Sequence, residues 1–438
     1  MVAKNGVASH IRVMRHTARL AALALMACLA QPASAGDLVT DWTLAADRLG
    51  RGGANWRTLA IMQRAMHDAV NAAQPTYARW HPAEPDEPAV DPALSRREVA
   101  SAALSAAAAR VLTLLHPEGR DEVDRTYARA QARTPDGLAE DAGTALGRAI
   151  AEAAVRRRAK DGFSSKRLFP TSAERGKWSP VPQEFLNSST TDTKPFLFTS
   201  PNEVPAVPPP AINSPEFRRE LKEVRKIGGL ESSVRTDLQT EAASYWYFQS
   251  SQRGFLYLGM AMLELHPPKG GMAAEARIMS QLASALADSA VLTWWEKEHF
   301  LFWRPIVAIR GGIEGVEPDP DWTPMIETPP HPEYPSGHAA DCFTGAFMLQ
   351  AAFPGVAGPI SYVAQPGRPP SDVAMNMGQH SMLADSGIRA KRTYPSLAAM
   401  AEDCSDSRIW AGAHFRAADE EARRLGHLIA KRAIAAVP

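Results

Sequence analysis

The chain has 438 residues, 45% hydrophobic and 22% charged, with 48 basic against 48 acidic side chains and three cysteines. Balanced charge leaves no electrostatic footprint for nucleic acid or an anionic membrane, and so few cysteines exclude a disulfide scaffold or a cysteine-based metal cluster. The length allows more than one packed unit. Lys4, Arg12, Arg15 and Arg19 precede the apolar run Leu20 to Ala30, and Ala33-Ser34-Ala35 is a small-x-small triplet. Residues 1–35 therefore read as a secretory signal cleaved after Ala35, which places the mature chain in the periplasm or outside the cell. Cleavage removes four bases and no acid, so the mature chain carries a net charge of −4 and keeps Cys342 and Cys404.

After the signal the first half is alanine-rich and helical, and residues 36–163 form an N-terminal helical region. Leu59, Met62, Met66, Ala69, Val70 and Ala73 recur at the spacing of one helix face. Arg96 to Leu115 and Leu138 to Lys160 repeat the pattern. Residues 164–215 read as an extended surface connection, since Phe163 to Pro215 holds ten prolines and no sustained period. Helical pattern resumes over Pro215 to Lys226, Glu241 to Leu265 and Met272 to Trp295, so residues 216–438 form a C-terminal helical bundle. Strand signals are nearly absent, which makes the fold class all-α. No mature segment is expected to span a bilayer; Gly345 to Ile360, read as the most apolar, is too short and interrupted.

Three blocks in the C-terminal half carry the chemistry: Lys297-x6-Arg304-Pro305, Pro335-Ser336-Gly337-His338, and Ser407-Arg408-x5-His414. The spacing of Lys297 and Arg304, about two helical turns, predicts both cations on one helix face. Pro335-Ser336-Gly337-His338 reads as a helix start, whose unpaired N–H groups can meet an anion and whose glycine permits close approach. Arg408 adds a planar fork for oxygen ligands. His338 and His414 add a lone pair and a proton shuttle. Such a set suits a tetrahedral oxyanion, phosphate or vanadate. Arg408 and His414 lie about 240° apart round an ideal helix, so Gly412 between them is expected to mark a bend. His299 and His380 sit in no motif and read as structural or solvated.

These blocks, with Trp294-x2-Lys297, Trp303-Arg304-Pro305-Ile306, Pro318-Asp319-Pro320-Asp321-Trp322, Pro332-Glu333-Tyr334-Pro335 and the upstream Met66-His67-Asp68-Ala69-Val70-Asn71, resemble the superfamily of vanadium-dependent haloperoxidases and type 2 phosphatidic acid phosphatases. The likeness is greatest to its soluble bacterial haloperoxidase-like branch. The resemblance implies two stacked four-helix bundles, with the site in the C-terminal one. It implies vanadate as cofactor, in a pocket that phosphate can also occupy, and no haem. Lys297, Arg304 and Arg408 would offset the anion's charge, with Lys297 polarising hydrogen peroxide. Ser336 and the Gly337 N–H would bind equatorial oxygens, His338 would act as acid–base, and His414 would be the axial vanadium ligand or a phosphoryl-accepting nucleophile. His331 leans the resemblance toward bromide or iodide, and Trp294 stands on the halide side. Where the family often has an aspartate four after the axial histidine, this chain has Ala418; Asp419 follows and is the candidate to orient His414.

The implied partners are hydrogen peroxide, a halide and a small organic substrate, with room for a homo-oligomer. Three functions fit: an exported haloperoxidase, a soluble acid phosphatase working through a phosphohistidine, and a non-catalytic vanadate or phosphate binder. Cys342 lies one turn after His338 and Cys404 one turn before Arg408. Convergence of those residues on one anion, in an exported protein, predicts a Cys342–Cys404 bridge against the alternative of two buried thiols.

Overall fold

The computed structural model describes residues 36–50, 55–180, 189–248, 250–356, 358–363 and 391–437. The signal segment and His380 lie outside them. The described chain is helical almost throughout. The N-terminal bundle comprises α1 (Gly36–Leu49), α2 (Asn55–Ala73), α3 (Arg96–Leu115), α4 (Arg120–Gln131) and α5 (Leu138–Arg157). α3 is central, packed on α2, α4 and α5. Its many alanines let backbones approach, and Gly143 and Gly147 of α5 lie against the backbone of Val99 and Ala103, where a Cβ would collide. Among the described residues α3 alone is long and apolar enough to cross a membrane by length and composition, a distinction that does not fall to Gly345–Ile360. It lies instead in the core, with Val99, Leu104, Val111 and Leu112 fully buried.

The connection includes the short α6 (Ser189–Asp192) and a tight turn at Pro201–Glu203. Its extended backbone is tied down by buried carboxylates. Asp288 accepts from the N–H of Phe196 and Leu197 at 2.5 and 2.7 Å, and Glu296 from that of Ala206 at 2.7 Å.

The C-terminal half holds α7 (Pro215–Ile227), α8 (Asp237–Phe248), α9 (Ser251–Leu265), α10 (Gly271–Phe300), α11 (Pro305–Gly311), α12 (Gly337–Ala352), α13 (Leu397–Trp410) and α14 (Arg416–Ala436). α12 is its axis, packed on α9, α10, α13 and α14, while α10 also lies against α2 and so joins the two bundles. The continuous helix expected over Glu241 to Leu265 is two helices. Ser250 caps the second, accepting from the Arg253 N–H, because a serine satisfies an orphan donor better as a cap than within a helix. A short antiparallel pair, β1 (Ile360–Val363) and β2 (Lys391–Tyr394), sets Ile360 opposite Tyr394. It is too small to change the all-α class.

Candidate functional site

Lys297 and Arg304 do not share a helix face as their spacing predicts. α10 ends at Phe300, Leu301 adopts φ 48°, and Arg304 is the residue before Pro305, which opens α11. Proline pre-set for a first helical turn forces a new helix here, and the residue before it is held extended. The two cations converge all the same, both on the loop 331–336. Lys297 is fully buried, and its Nζ donates to the carbonyls of Pro332, Glu333 and Pro335 at 2.9, 2.8 and 2.5 Å. All three ammonium donors are thus spent on the loop, and only its charge reaches the pocket. Burial and Arg304 hold this ammonium well below its ordinary range, while Glu333 and Asp419 oppose them.

Arg304 donates to the carbonyls of His331 and Ala413 at 2.9 and 2.7 Å. Its remaining contacts are His331 Nδ1 at 3.0 Å and His414 Nε2 at 3.2 Å. Gly412 provides the bend expected between Arg408 and His414. Its φ is +76°, and a Cβ would collide with the Gly228 carbonyl, so glycine is required. Arg408 lies in the last turn of α13, and His414 in the link to α14.

The carboxylate that orients His414 is Glu333, not Asp419. Glu333 Oε1 accepts from the Phe415 N–H at 2.9 Å and lies 2.9 Å from His414 Nδ1. An oxygen already accepting one N–H takes a second donor, so the hydrogen bonds assign the proton to Nδ1 and the lone pair to Nε2. Burial, followed by the charges of Arg304, Lys297 and Arg408, keeps His414 well below its ordinary pKa, hence neutral. Burial pushes the Glu333 carboxyl up to about 8, against the pull of Arg304, the Phe415 N–H and Lys297. In the sequence Glu333 belongs to the block Pro332-Glu333-Tyr334-Pro335 with no role of its own assigned. The available signal was a lone acid between two prolines, directly before the anion-binding helix start.

Ser336 is the N-cap of α12, and its own N–H donates to the Ala418 carbonyl at 3.1 Å, which ties α12 to α14. A Cβ on Gly337 would stand 3.2 Å from the Trp294 ring, so the glycine lets the helix start lie against that wall. His338 occupies the first turn of α12 and is half-buried. The half-buried His331 stacks obliquely on Trp294, ring centroids 4.9 Å apart, and burial with Arg304 and Lys297 holds its pKa well below the ordinary value. Cys342 and Cys404 form a disulfide between α12 and α13, Cα atoms 6.5 Å apart, linking the helices that carry Ser336 and Arg408.

Several buried polar atoms around His414 have no hydrogen-bond partner among the described residues: Arg408 Nε and Nη1, Ser336 Oγ, and both oxygens of Asp419. Unmet donors of this kind are costly unless a ligand uses them. Arg304 and Arg408 are drawn down to about 9 and about 10 by burial, a cost that an entering anion would relieve.

A family profile described as the VCPO second helical-bundle domain matches residues 277–438, which contain every site residue named above. The chain carries the vanadium haloperoxidase fold. Against the vanadium chloroperoxidase of Curvularia inaequalis it is 27% identical over 169 residues, 32% of this chain and 27% of that protein. The match thus spans about a quarter of that curated relative. The crystal structure of the first bacterial vanadium-dependent iodoperoxidase superposes with TM-score 0.70 at 20% identity, covering 91% of this chain and 96% of that one. An apo-type bacterial vanadium-dependent chloroperoxidase gives TM-score 0.66 at 16% identity, over 87% and 93%. The unmet donors of Arg408, with the Ser336 hydroxyl and the Nε2 of His414 close by, would suit a tetrahedral oxyanion.

Proposed function

We propose that this chain is a vanadium-dependent haloperoxidase that oxidises a halide with hydrogen peroxide and a proton to hypohalous acid and water. The observation that carries this reading is His414, its Nδ1 2.9 Å from Glu333 and its Nε2 3.2 Å from Arg304, beside buried donors of Arg408 left unmet. Vanadate, when bound, would supply Lewis-acid activation of peroxide without changing oxidation state. The protein's own work is positional and electrostatic. Arg304 and Arg408 hold negative charge, Ser336 and the first turn of α12 present hydrogen-bond donors, and Lys297 clamps the loop that carries them. His338, at the same helix start, is the residue to move a proton to or from the departing oxygen.

His331 and Trp294 present a neutral imidazole and an indole face side by side. That soft, weakly hydrated wall favours bromide or iodide over chloride. Export is supported by the signal-like first 35 residues and by a disulfide of the kind that persists in oxidising compartments.

Bromination of a diketone by peroxide with added orthovanadate, run beside hydrolysis of a chromogenic phosphate ester, tests the reading. Vanadate-dependent bromination supports it. Ester hydrolysis alone would turn the same pocket into a phosphohistidine phosphatase, and binding of both anions with no turnover would make it a binder.

A further inference from the structure

Asp419 has no role in orienting His414, yet it is buried in the pocket at 2% exposure with neither oxygen hydrogen-bonded among the described residues. Its surroundings mix both signs. Lys297 of α10 and Arg408 of α13 feel its charge. The Ser336 hydroxyl and Arg416 draw its pKa down, while Asp406 of α13 and Glu333 of the loop act the other way. His338 of α12 faces His331 across the same helix start, and Glu220 of α7 receives the Ala417 N–H at the outer side of the α14 start. A buried carboxylate with no well-formed hydrogen bond, only the Ser336 hydroxyl acting on it, is an electrostatic contradiction beside an anion pocket: an ionised Asp419 would repel the ligand for which Arg408 keeps its donors free. Protonation resolves it, because a neutral carboxyl is itself a donor. Burial, the largest influence on this carboxyl, works in the same direction.

We propose that Asp419 is an oxyanion-binding residue that acts in its protonated form, donating its O–H into the pocket beside Ser336 and Arg408, so that a tetrahedral dianion enters together with one proton taken from solvent. The proton ends on a carboxylate oxygen of Asp419 and no other bond changes. The inference rests on the oxyanion reading of the pocket and not on peroxide chemistry, so failure of the bromination assay leaves it standing.

Sulfate is the probe, since it stays a dianion across the useful pH range. Calorimetry of sulfate binding to the intact protein in two buffers of different ionisation enthalpy counts the protons taken up. At a pH high enough to ionise Asp419 in the empty protein, the expected result is net uptake approaching one proton per sulfate. Affinity should then fall by up to about tenfold per pH unit where that uptake operates. Asp419→Asn keeps a donor and cannot ionise, so it should bind sulfate with about one proton fewer and a flatter pH dependence. Asp419→Ala should lose affinity at every pH. Infrared difference spectra of the unmodified protein give a readout that needs no variant, because sulfate should raise a carboxylic C=O band. Absence of both proton uptake and that band overturns the proposal, as does equal uptake in the protein and Asp419→Asn. No sulfate binding in any form overturns the pocket reading along with it.

Discussion

In the N-terminal bundle Asp68 accepts from the Trp80 N–H at 2.7 Å and faces His81 Nδ1 at 2.9 Å. Asn71 Oδ1 accepts from the N–H groups of Thr76 and Tyr77, and Arg64 donates to Ser284 and to the Phe196 carbonyl. Asp68, Asn71 and Arg64 are thus consumed in holding the loop 74–81, the connection and α10. Around His414 the reverse holds: Arg408, Ser336 and Asp419 are equally buried and keep donors or acceptors unmet. Burial of charge therefore separates into two kinds. One is closed and contributes to stability; the other is open, costs stability and reserves binding energy for a ligand.

The largest test of that division is His414→Ala. It removes the lone pair at the centre of the open site, so halide oxidation should fall by about a thousandfold or more, with the thermal unfolding midpoint essentially unchanged. Activity close to that of the unmodified enzyme would remove His414 from the chemistry. Asp68→Ala should do the opposite. It strands the Trp80 N–H, which lowers stability by about 2–3 kcal/mol in denaturant titrations while leaving anion affinity intact. A loss of sulfate or vanadate affinity in that variant, with stability preserved, would erase the distinction between the two regions.

Arg408→Ala should weaken oxyanion binding by roughly 30-fold, the worth of about 2 kcal/mol for charge-assisted contacts, without lowering stability in the empty protein. Calorimetry with sulfate reads the first and thermal unfolding the second. A marked drop in unfolding temperature would mean that Arg408 is structurally closed, as Arg64 is.

The sequence made the three blocks legible because each required residue types that physics restricts: glycine at a close approach or a positive φ, proline at a helix start, cations near an anion. Gly412 and Gly337 are such positions. Helical segments were readable to within a few residues, as α3 and α7 show. The Lys297–Arg304 geometry was misread because a seven-residue spacing fits a continuous helix, and the Leu301 turn before Pro305 leaves no periodic trace. Glu333 was missed for a related reason. A carboxylate 81 positions from His414 becomes its partner only through tertiary folding, whereas Asp419 looked right because it is near in sequence. Local order is encoded locally; which acid meets which histidine is not.

Asp341 lies between the two kinds of burial and gives the smallest effect. It is inside the C-terminal bundle yet fully satisfied, accepting from Ser289, Ser251 and Gln252 at 2.7, 2.8 and 3.2 Å, and burial still pushes its pKa up to about 7. In the unfolded chain an aspartate titrates near its ordinary value of about 3.9. Between those two values the folded state binds more protons than the unfolded one, so this group's contribution turns unfavourable as pH rises from about 4 to about 7 and stays so above. Asp341→Asn removes the ionisation while keeping an oxygen toward Ser289 and Gln252, and the Ser251 hydroxyl can turn to accept from the new amide. The variant should therefore be more stable than the parent at pH 8, by on the order of 1 kcal/mol, and the difference should vanish by about pH 4. A variant destabilised equally at both pH values would show that the three donors fully offset the burial of this charge. Asp341 would then belong with Asp68 among the closed sites.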